Sequence, residues 1–370
     1  MKQPSICISP IDWGLGHATR CISLIKAFEE LGYRVFIATE GYHELILKEA
    51  VPQATFLQLR GYRIKYAPWG CMLPLFLLFQ LPQIIYSIIY EHQWLKKKQK
   101  EFHFDIIISD NRFGFYHSNV PSVFMTHQLN LQMHFKMATR LFQIIQYAWM
   151  KKFKACWIPD IEGDDNLSGI LAHPKNKPSI PLWYMGSLSR LIENRPEAFS
   201  KDTSADATIF LGIVSGPEPQ RTILENLLWK SGNALHLPFV VMAGTPDKKA
   251  ANKIIEKNKN ATLYAHLDAA ALVREINRAE YIICRGGYTT LMELVPFDKK
   301  LIFIPTPGQT EQMYLGKLWQ EKNWALCYTQ ENFNLEQVLQ KASSFHFKTA
   351  PFKPCTITSI DSAIKKLLVA

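Results

Sequence analysis

A chain of 370 residues is longer than one hydrophobic core usually serves, so two domains are expected. Hydrophobic residues at 48% and charged residues at 20% describe a soluble globular protein and exclude a disordered one. The net charge of +10 calls for anionic partners, which nucleic acid, anionic lipid and phosphorylated substrates all satisfy. The seven cysteines are scattered, odd in number and without C-x-x-C spacing. They argue against a disulfide framework or zinc site and for a reducing cytoplasm. No charged-then-apolar leader with a small-residue cleavage site opens the sequence, so export is not expected.

The chain starts with a buried-strand pattern, "SICIS", followed by the loop Gly14-x-Gly16-His17-x-Thr19 and an amphipathic helix to about Glu30. "YRVFIAT", "FDIIISD" and "PSVFMTH" are further strands. Short apolar runs separated by helical stretches are the signature of βαβ units on a parallel sheet. "CMLPLFLLFQLPQIIYSIIY" (71–90) breaks the rhythm and is long and apolar enough to raise a membrane span. It also contains Pro74, Gln80, Pro82 and Gln83, which weigh against the span and set two alternatives beside it: a buried crossover helix, or an apolar surface dipping into a membrane. The flanks "RGYRIKYAPW" and "WLKKKQK" suit anionic lipid, although a lysine run is also an ordinary solvated helix end.

The second half repeats the pattern with "ATIFLGIV", "PFVVMAG", "ATLYAH", "EYIICRG", "KLIFIP" and "WALCYT". Helices are expected over 220–229, 270–278, 311–320 and 359–369. The fold class is therefore α/β, with two Rossmann-like domains, 1–190 and 191–370. The join falls in the polar stretch 186–205, and the terminal helix is free to pack back on the first domain.

Ligands of open α/β sheets collect at the C-terminal ends of the strands. Polar residues follow the strands at His17, at Asp110, Asn111 and Arg112, and at His127 and Gln128. In the second half they are Ser215 and Gly216, then Arg285, Gly286 and Gly287, then the loop from Pro305 to Gln312. In "ICRGGYTTLMEL" the glycines and helix start favour an anion, and Glu293 is placed for ribose hydroxyls; an ordinary βα turn reads the same way. In "IPTPGQTEQMYLGKLW", Glu311 and Gln312 form an acid–amide pair suited to sugar hydroxyls.

Together these loops resemble the donor signature of GT-B nucleotide-sugar glycosyltransferases. The plant-type pattern His-Cys-Gly-Trp-Asn-Ser-x-x-Glu falls on Arg285-Gly286-Gly287-Tyr288-Thr289-Thr290-Leu291-Met292-Glu293, with the closing acid–Gln pair on Glu311–Gln312. The chain is most similar to glycosyltransferase family 28, the family of the bacterial lipid II-forming N-acetylglucosaminyltransferase. The likeness extends over "GLGHATR", "YMGSLSR" and "LGIVSGPEPQR". It implies two domains facing across a cleft, the first binding acceptor and the second binding donor. Donor contacts fall on Ser215, Gly216, Arg285, Gly286, Gly287, Thr289, Thr290, Glu293, Glu311 and Gln312. Acceptor contacts fall on Gly14, Gly16, Asn111, Arg112, His127 and Gln128. Two departures stand out: Arg285 replaces the signature histidine and Thr289 the asparagine. Arginine retains a charge-assisted bond to a diphosphate.

The resemblance gives His17 two alternatives, cradling the acceptor's phosphates or deprotonating its hydroxyl. A base near neutral pH with a carboxylate behind it suits inverting sugar transfer, and Asp110 is the natural partner. Helix capping by His17 and a turn role for Asp110 are the plain alternatives. The expected activity is metal-independent, inverting transfer of a hexose or N-acetylhexosamine from a UDP-sugar to an acceptor hydroxyl, with a lipid-linked acceptor allowed. No Asp-x-Asp pair ends a strand as a metal site would need, and no cofactor is expected beyond the UDP-sugar co-substrate. No nucleic-acid partner is expected. The location expected is cytoplasmic, peripheral on an anionic membrane surface. The rival readings are a nucleotide-sugar epimerase of the same fold and a non-catalytic binding protein. A dinucleotide oxidoreductase is disfavoured, because the first loop lacks a third glycine and only Glu40 follows as a ribose acid.

Overall fold

Along Ser5–Pro10 (β1), Ile6 and Ile8 enter one buried cluster and Cys7 enters another, so both faces of the strand are covered. The same alternation runs through Ile106–Asp110 (β4), where Ile106 and Ile108 join the first cluster and Ile107 the second. A strand apolar on both faces belongs inside a parallel sheet covered by helices on both sides. The computed structural model describes residues 3–64, 79–132, 136–192, 208–245 and 252–369. They fall into two units, one reaching to Arg190 and reclaiming Phe352–Ala370, the other taking Leu191–Pro351.

The first unit adds Leu15–Glu30 (α1), Arg34–Thr39 (β2), Gly41–Ala50 (α2), Thr55–Gln58 (β3) and Leu81–Phe102 (α3). After β4 come Ser122–Met125 (β5), Lys136–Met150 (α4), Ala155–Ile158 (β6) and Leu182–Tyr184 (β7). The seven strands are ordered β3-β2-β1-β4-β5-β6-β7, every pair parallel. Chain order reverses between β1 and β4, which places the crevice for a ligand beyond their C-terminal ends.

The second unit contains Thr208–Ile213 (β8), Gln220–Ala234 (α5), Phe239–Met242 (β9), Ile254–Lys257 (β10), Ala261–Tyr264 (β11) and Ala269–Arg278 (α6). It continues with Ala279–Cys284 (β12), Tyr288–Leu294 (α7), Lys300–Phe303 (β13), Thr310–Glu321 (α8), Ala325–Cys327 (β14) and Leu335–Ser344 (α9). Its order is β10-β11-β9-β8-β12-β13-β14, parallel except for the β10–β11 pair. The reversal here lies between β8 and β12. The closing helix Ile357–Val369 (α10) puts Ile360, Ile364 and Leu367 into the core of the first unit, beside Ile22, Phe28 and Trp157.

The sequence omitted β3, β6, β7 and β10. β3 and β7 have no fully buried residue and β10 is exposed along its whole length, so none of the three carries a buried apolar run, while β6 is buried but only four residues long. Of the segment 71–90, residues 71–78 lie outside the described residues. The remainder opens α3, and none of the described helices is long and apolar enough to cross a membrane.

Candidate active site

The reversal between β1 and β4 sets the geometry of the first candidate site. Gly14, at φ +84°, turns the chain from β1 into α1 with a backbone conformation that a side chain disfavours. His17 follows on the first turn of α1, and Asp110 closes β4 in register with Pro10. Nδ1 of His17 lies 3.0 Å from Oδ2 of Asp110. Arg20, one helical turn after His17, donates from Nε to Oδ2 of Asp110 at 3.0 Å and from Nη2 to Oδ1. Its Nη2 is also 2.8 Å from Nδ1 of His17, and its Nη1 is 3.1 Å from Nδ1 of His127, just beyond β5.

Burial alone would raise the carboxyl of Asp110, but the charge of Arg20, with His17, overcomes it and holds the group well below the usual carboxylate range. For His17, burial and then the charge of Arg20 lower the pKa to about 4, against the opposing pull of Asp110. The imidazole keeps 14% of its side-chain surface, while Asp110 and Arg20 keep none. The site is thus a buried ion pair carrying a neutral imidazole that still reaches solvent.

The other residues expected at the acceptor edge divide. His127 joins the cluster. Gly14 accepts from Nε2 of His43 at 3.0 Å, and the carbonyl of Gly16 accepts from Thr19 Oγ1 at 3.1 Å. Asn111 sits in the left-handed region at φ +63° with its N–H on the carbonyl of Met125, and Gln128 is pinned through its carbonyl by Gln146 at 2.6 Å. Arg112 corrects the expectation. It is 1% exposed, and donates to Glu91 Oε2 at 2.7 Å, to the carbonyl of Pro10 at 3.3 Å and to that of Arg60 at 2.9 Å. It ties the loops beyond β1 and β3 to α3 instead of presenting its charge to a ligand. Glu40, the one acid available to a dinucleotide's ribose, is held by Arg63 Nε at 3.0 Å and the N–H of Gly61 at 2.9 Å.

In the second unit the expected donor residues gather beyond β8, β12 and β13. Ser215 is half-buried and Gly216 exposed at φ +110°, ahead of α5. Thr289, Thr290 and Glu293 lie half-buried on α7, after Gly286 and Gly287. The N–H of Tyr288 donates to Oε1 of Glu311 at 3.4 Å, which joins the two donor loops. Gln312 is turned inward: its Oε1 accepts from the N–H of Thr306 at 2.8 Å and its Nε2 donates to Gln309 at 2.6 Å. Arg285 is the second correction. It is 1% exposed, and its Nη atoms donate to the carbonyls of Ile304 at 2.9 Å, Pro305 at 3.2 Å and Gln220 at 2.7 Å, and to Oε1 of Gln330 at 2.8 Å. Burial lowers it to about 10, still charged at neutral pH. It braces the floor under the donor loops.

Sequence reasoning missed Arg20 and Glu91. Both carried a signal, namely a charged residue inside a buried helical stripe: Arg20 among Ala18, Cys21, Leu24 and Phe28, and Glu91 between Ile88 and Leu95. A buried charge must be paired, and each faces a partner at the end of a strand. Among the described residues no group of three or more His, Cys, Asp or Glu side chains is placed to hold a metal ion.

Residues 220–367 match the model of the glycosyltransferase family 28 C-terminal domain. A curated relative from Rickettsia massiliae (strain Mtu5), UDP-N-acetylglucosamine--N-acetylmuramyl-(pentapeptide) pyrophosphoryl-undecaprenol N-acetylglucosamine transferase, is 30% identical over 111 residues. That stretch is 29% of this chain and 29% of the relative. Solved structures match over nearly the whole length. Acinetobacter baumannii MurG aligns at TM-score 0.58 and 14% identity, covering 98% of this chain and 99% of that one. The glycosyltransferase SnogD from Streptomyces nogalater aligns at 0.61 and 12%, covering 100% of both. Phytolacca americana UGT2, complexed with UDP-2fluoro-glucose and pterostilbene, aligns at 0.61 and 12%, covering 99% and 93%. The fold is GT-B.

Proposed function

We propose that this chain is a family 28 member: an inverting, metal-independent glycosyltransferase that moves a hexose or N-acetylhexosamine from a UDP-sugar to an acceptor hydroxyl. The observation that carries the reading is the His17–Asp110 contact at the strand reversal, in a GT-B chain whose 220–367 region matches the family 28 C-terminal domain. The Rickettsia relative is named for UDP-N-acetylglucosamine and the Phytolacca structure holds UDP-2fluoro-glucose, which supports a UDP-sugar donor. Donor binding is assigned to the loops beyond β8, β12 and β13, and acceptor binding to the loops beyond β1, β4 and β5.

In the reaction the acceptor oxygen attacks the anomeric carbon as the bond from that carbon to the diphosphate oxygen breaks. The hydroxyl proton passes to Nε2 of His17, and UDP leaves with the bonding electron pair. Direct displacement by a deprotonated hydroxyl inverts the anomeric centre. Asp110 orients the ring through Nδ1. The charge on the leaving diphosphate falls to backbone N–H groups near Ser215–Gly216 and Gly286–Gly287, because Arg285 is engaged below the loops.

The acceptor is assigned to the lipid-linked class, and the protein to the cytoplasmic face of an anionic membrane. Support comes from two helices of the first unit whose apolar stripes face solvent. On α3, Leu81, Ile85 and Ile89 recur every fourth residue and are exposed, while Ile88, Glu91 and Leu95 face inward. On α4, Met137, Leu141, Ile144 and Ile145 are exposed, at 86%, 60%, 59% and 47%. Both helices contribute to one small cluster through Ile84, Ile88 and Trp149, and the exposed Lys96, Lys97, Arg140, Lys151 and Lys152 accompany them. Apolar stripes with a basic border fit an anionic lipid surface.

Thermal unfolding against a panel of nucleotide sugars tests the donor. A bound donor at 100 times its Kd adds about 2.7 kcal/mol of stability. UDP-sugars should raise Tm and other nucleotide sugars should not; no shift with any UDP compound contradicts the reading.

A further inference from the structure

His17, Arg20, Asp110 and His127 meet beyond β1, β4 and β5, and the reaction above uses two of them. Arg20 lies between the carboxylate and both imidazoles. One planar guanidinium takes both oxygens of Asp110, and the same group reaches Nδ1 of each histidine. A guanidinium has donors only, so a hydrogen bond from it to an imidazole nitrogen needs a lone pair on that nitrogen.

Nδ1 of His17 therefore faces two partners with opposite demands. Oδ2 of Asp110 at 3.0 Å calls for an N–H, whereas Nη2 of Arg20 at 2.8 Å calls for a lone pair. Nδ1 supplies one at a time. With the ring proton on Nδ1, Nε2 holds the lone pair that a base requires. With the ring proton on Nε2, Nδ1 accepts from Arg20 and the ring can only donate to a ligand. A doubly protonated ring sets an N–H against the guanidinium, which resists it.

We propose that Arg20 is the positioning residue of this site: by holding both oxygens of Asp110 and setting an N–H beside Nδ1 of His17, it keeps the ring neutral and competes with Asp110 for Nδ1, so that the balance between the two decides which nitrogen carries the ring proton. The inference rests on His17 as the base and adds what sets that base's strength. Asp110 already neutralises Arg20, so it supports an imidazolium less than a carboxylate without another partner would. The groups facing His17 are Arg20 from α1, Asp110 from β4 and His127 from beyond β5, with the thiol of Cys21 on Asp110 at 3.7 Å. From α2, His43 reaches the loop through the carbonyl of Gly14. Burial and Arg20 lower the proton affinity of His17, while Asp110 raises it.

The test is a pH titration of the full chain labelled with 15N-histidine, with H17Q assigning the resonance and long-range 15N–1H correlations reporting the tautomer. The wild-type ring should stay unprotonated to about pH 5. R20Q, which loses the charge, should raise the midpoint by about one pH unit or more, a tenfold rise in proton affinity. R20K keeps the charge but loses the fork, so its midpoint should stay low while the tautomer signature changes. A wild-type midpoint near that of a free histidine overturns the proposal, as does a folded R20Q with an unchanged midpoint. If R20Q does not fold, an R20K matching wild type in both readouts overturns it. The titration reads the ring without any sugar transfer, so a failure of the base assignment shows separately, as full turnover in H17A.

Discussion

His17 and Asp110 are 93 residues apart in sequence and 3.0 Å apart in the fold. The contact exists because β1 and β4 are neighbours in the sheet, with Pro10 in register with Asp110, and because Gly14 turns the chain into α1 at that edge. The loss of either side chain should therefore act on turnover. H17A and D110N are expected to reduce kcat by roughly 10²–10⁴-fold, the range of a general base, with KM for the UDP-sugar little changed. Steady-state kinetics with saturating donor check this; a large rise in donor KM with kcat intact would place the pair in donor binding instead.

The acid side of the stability profile follows from the same cluster. The pKa of His17 is lowered from 6.5 to about 4, so the unfolded state binds the extra proton first. Stability is unaffected by this group above about pH 6.5 and falls as the pH drops from there toward about 4, by at most about 3 kcal/mol. The depressed carboxyl of Asp110 works in the same sense at lower pH: its stabilisation is present above the usual carboxylate pKa and is lost as the pH falls below it. Urea unfolding of H17Q and wild type from pH 7 to pH 4.5 should show a shallower decline for H17Q. Parallel curves would mean that His17 titrates normally.

Arg285 braces three backbone carbonyls from two stretches of chain, and R285A would leave them buried and unpaired. A loss of about 2–4 kcal/mol is expected by chemical denaturation. UDP affinity should weaken because the loops relax. A stable R285A with selectively weakened UDP binding would restore the phosphate contact that the donor signature implies.

Glu91 and Arg112 form a second buried pair, completed by the hydroxyl of Tyr62 at 2.7 Å and the N–H of Gly114 at 2.6 Å. A Cβ at Gly114 would overlap the carbonyl of Ile88, so α3 lies directly against this loop. E91L and R112M should each cost about 3–5 kcal/mol, since each strands a buried charge. The double variant should cost less than the sum of the two. Strict additivity in denaturant melts would mean that the two side chains act independently.

Ile85, Ile89, Leu141 and Ile144 are exposed, so charge at these positions should not lower Tm. I85E/L141E is expected to lose binding to vesicles containing phosphatidylglycerol, measured by co-sedimentation, while retaining turnover on a soluble acceptor. Wild-type binding should weaken with added salt. Equal binding by the double variant would remove these stripes from the membrane surface.

Much of this organisation was legible in the sequence, because two-face apolar runs such as 106–108 and 281–284 have one common solution. The strand ends also announced His17 and Asp110. They did not announce which way a side chain turns. Arg112 and Arg285 follow strands as ligand-binding residues do, yet both fold back under their loops to satisfy carbonyls. Position at a strand end fixes where a side chain starts, and burial decides where it finishes. Arg20 escaped notice for the converse reason: it lies on the buried stripe of α1, where its partner is 90 residues away and invisible to local periodicity.

Acceptor-dependent UDP release tests the central claim most directly. Wild type and H17A are incubated with UDP-N-acetylglucosamine or UDP-glucose, with and without a bacterial lipid extract, and free UDP is measured. Sugar transfer with His17 as base gives release that depends on the extract in wild type and falls at least a hundredfold in H17A. Full release by a folded H17A, or sugar interconversion by wild type without any UDP release, contradicts it.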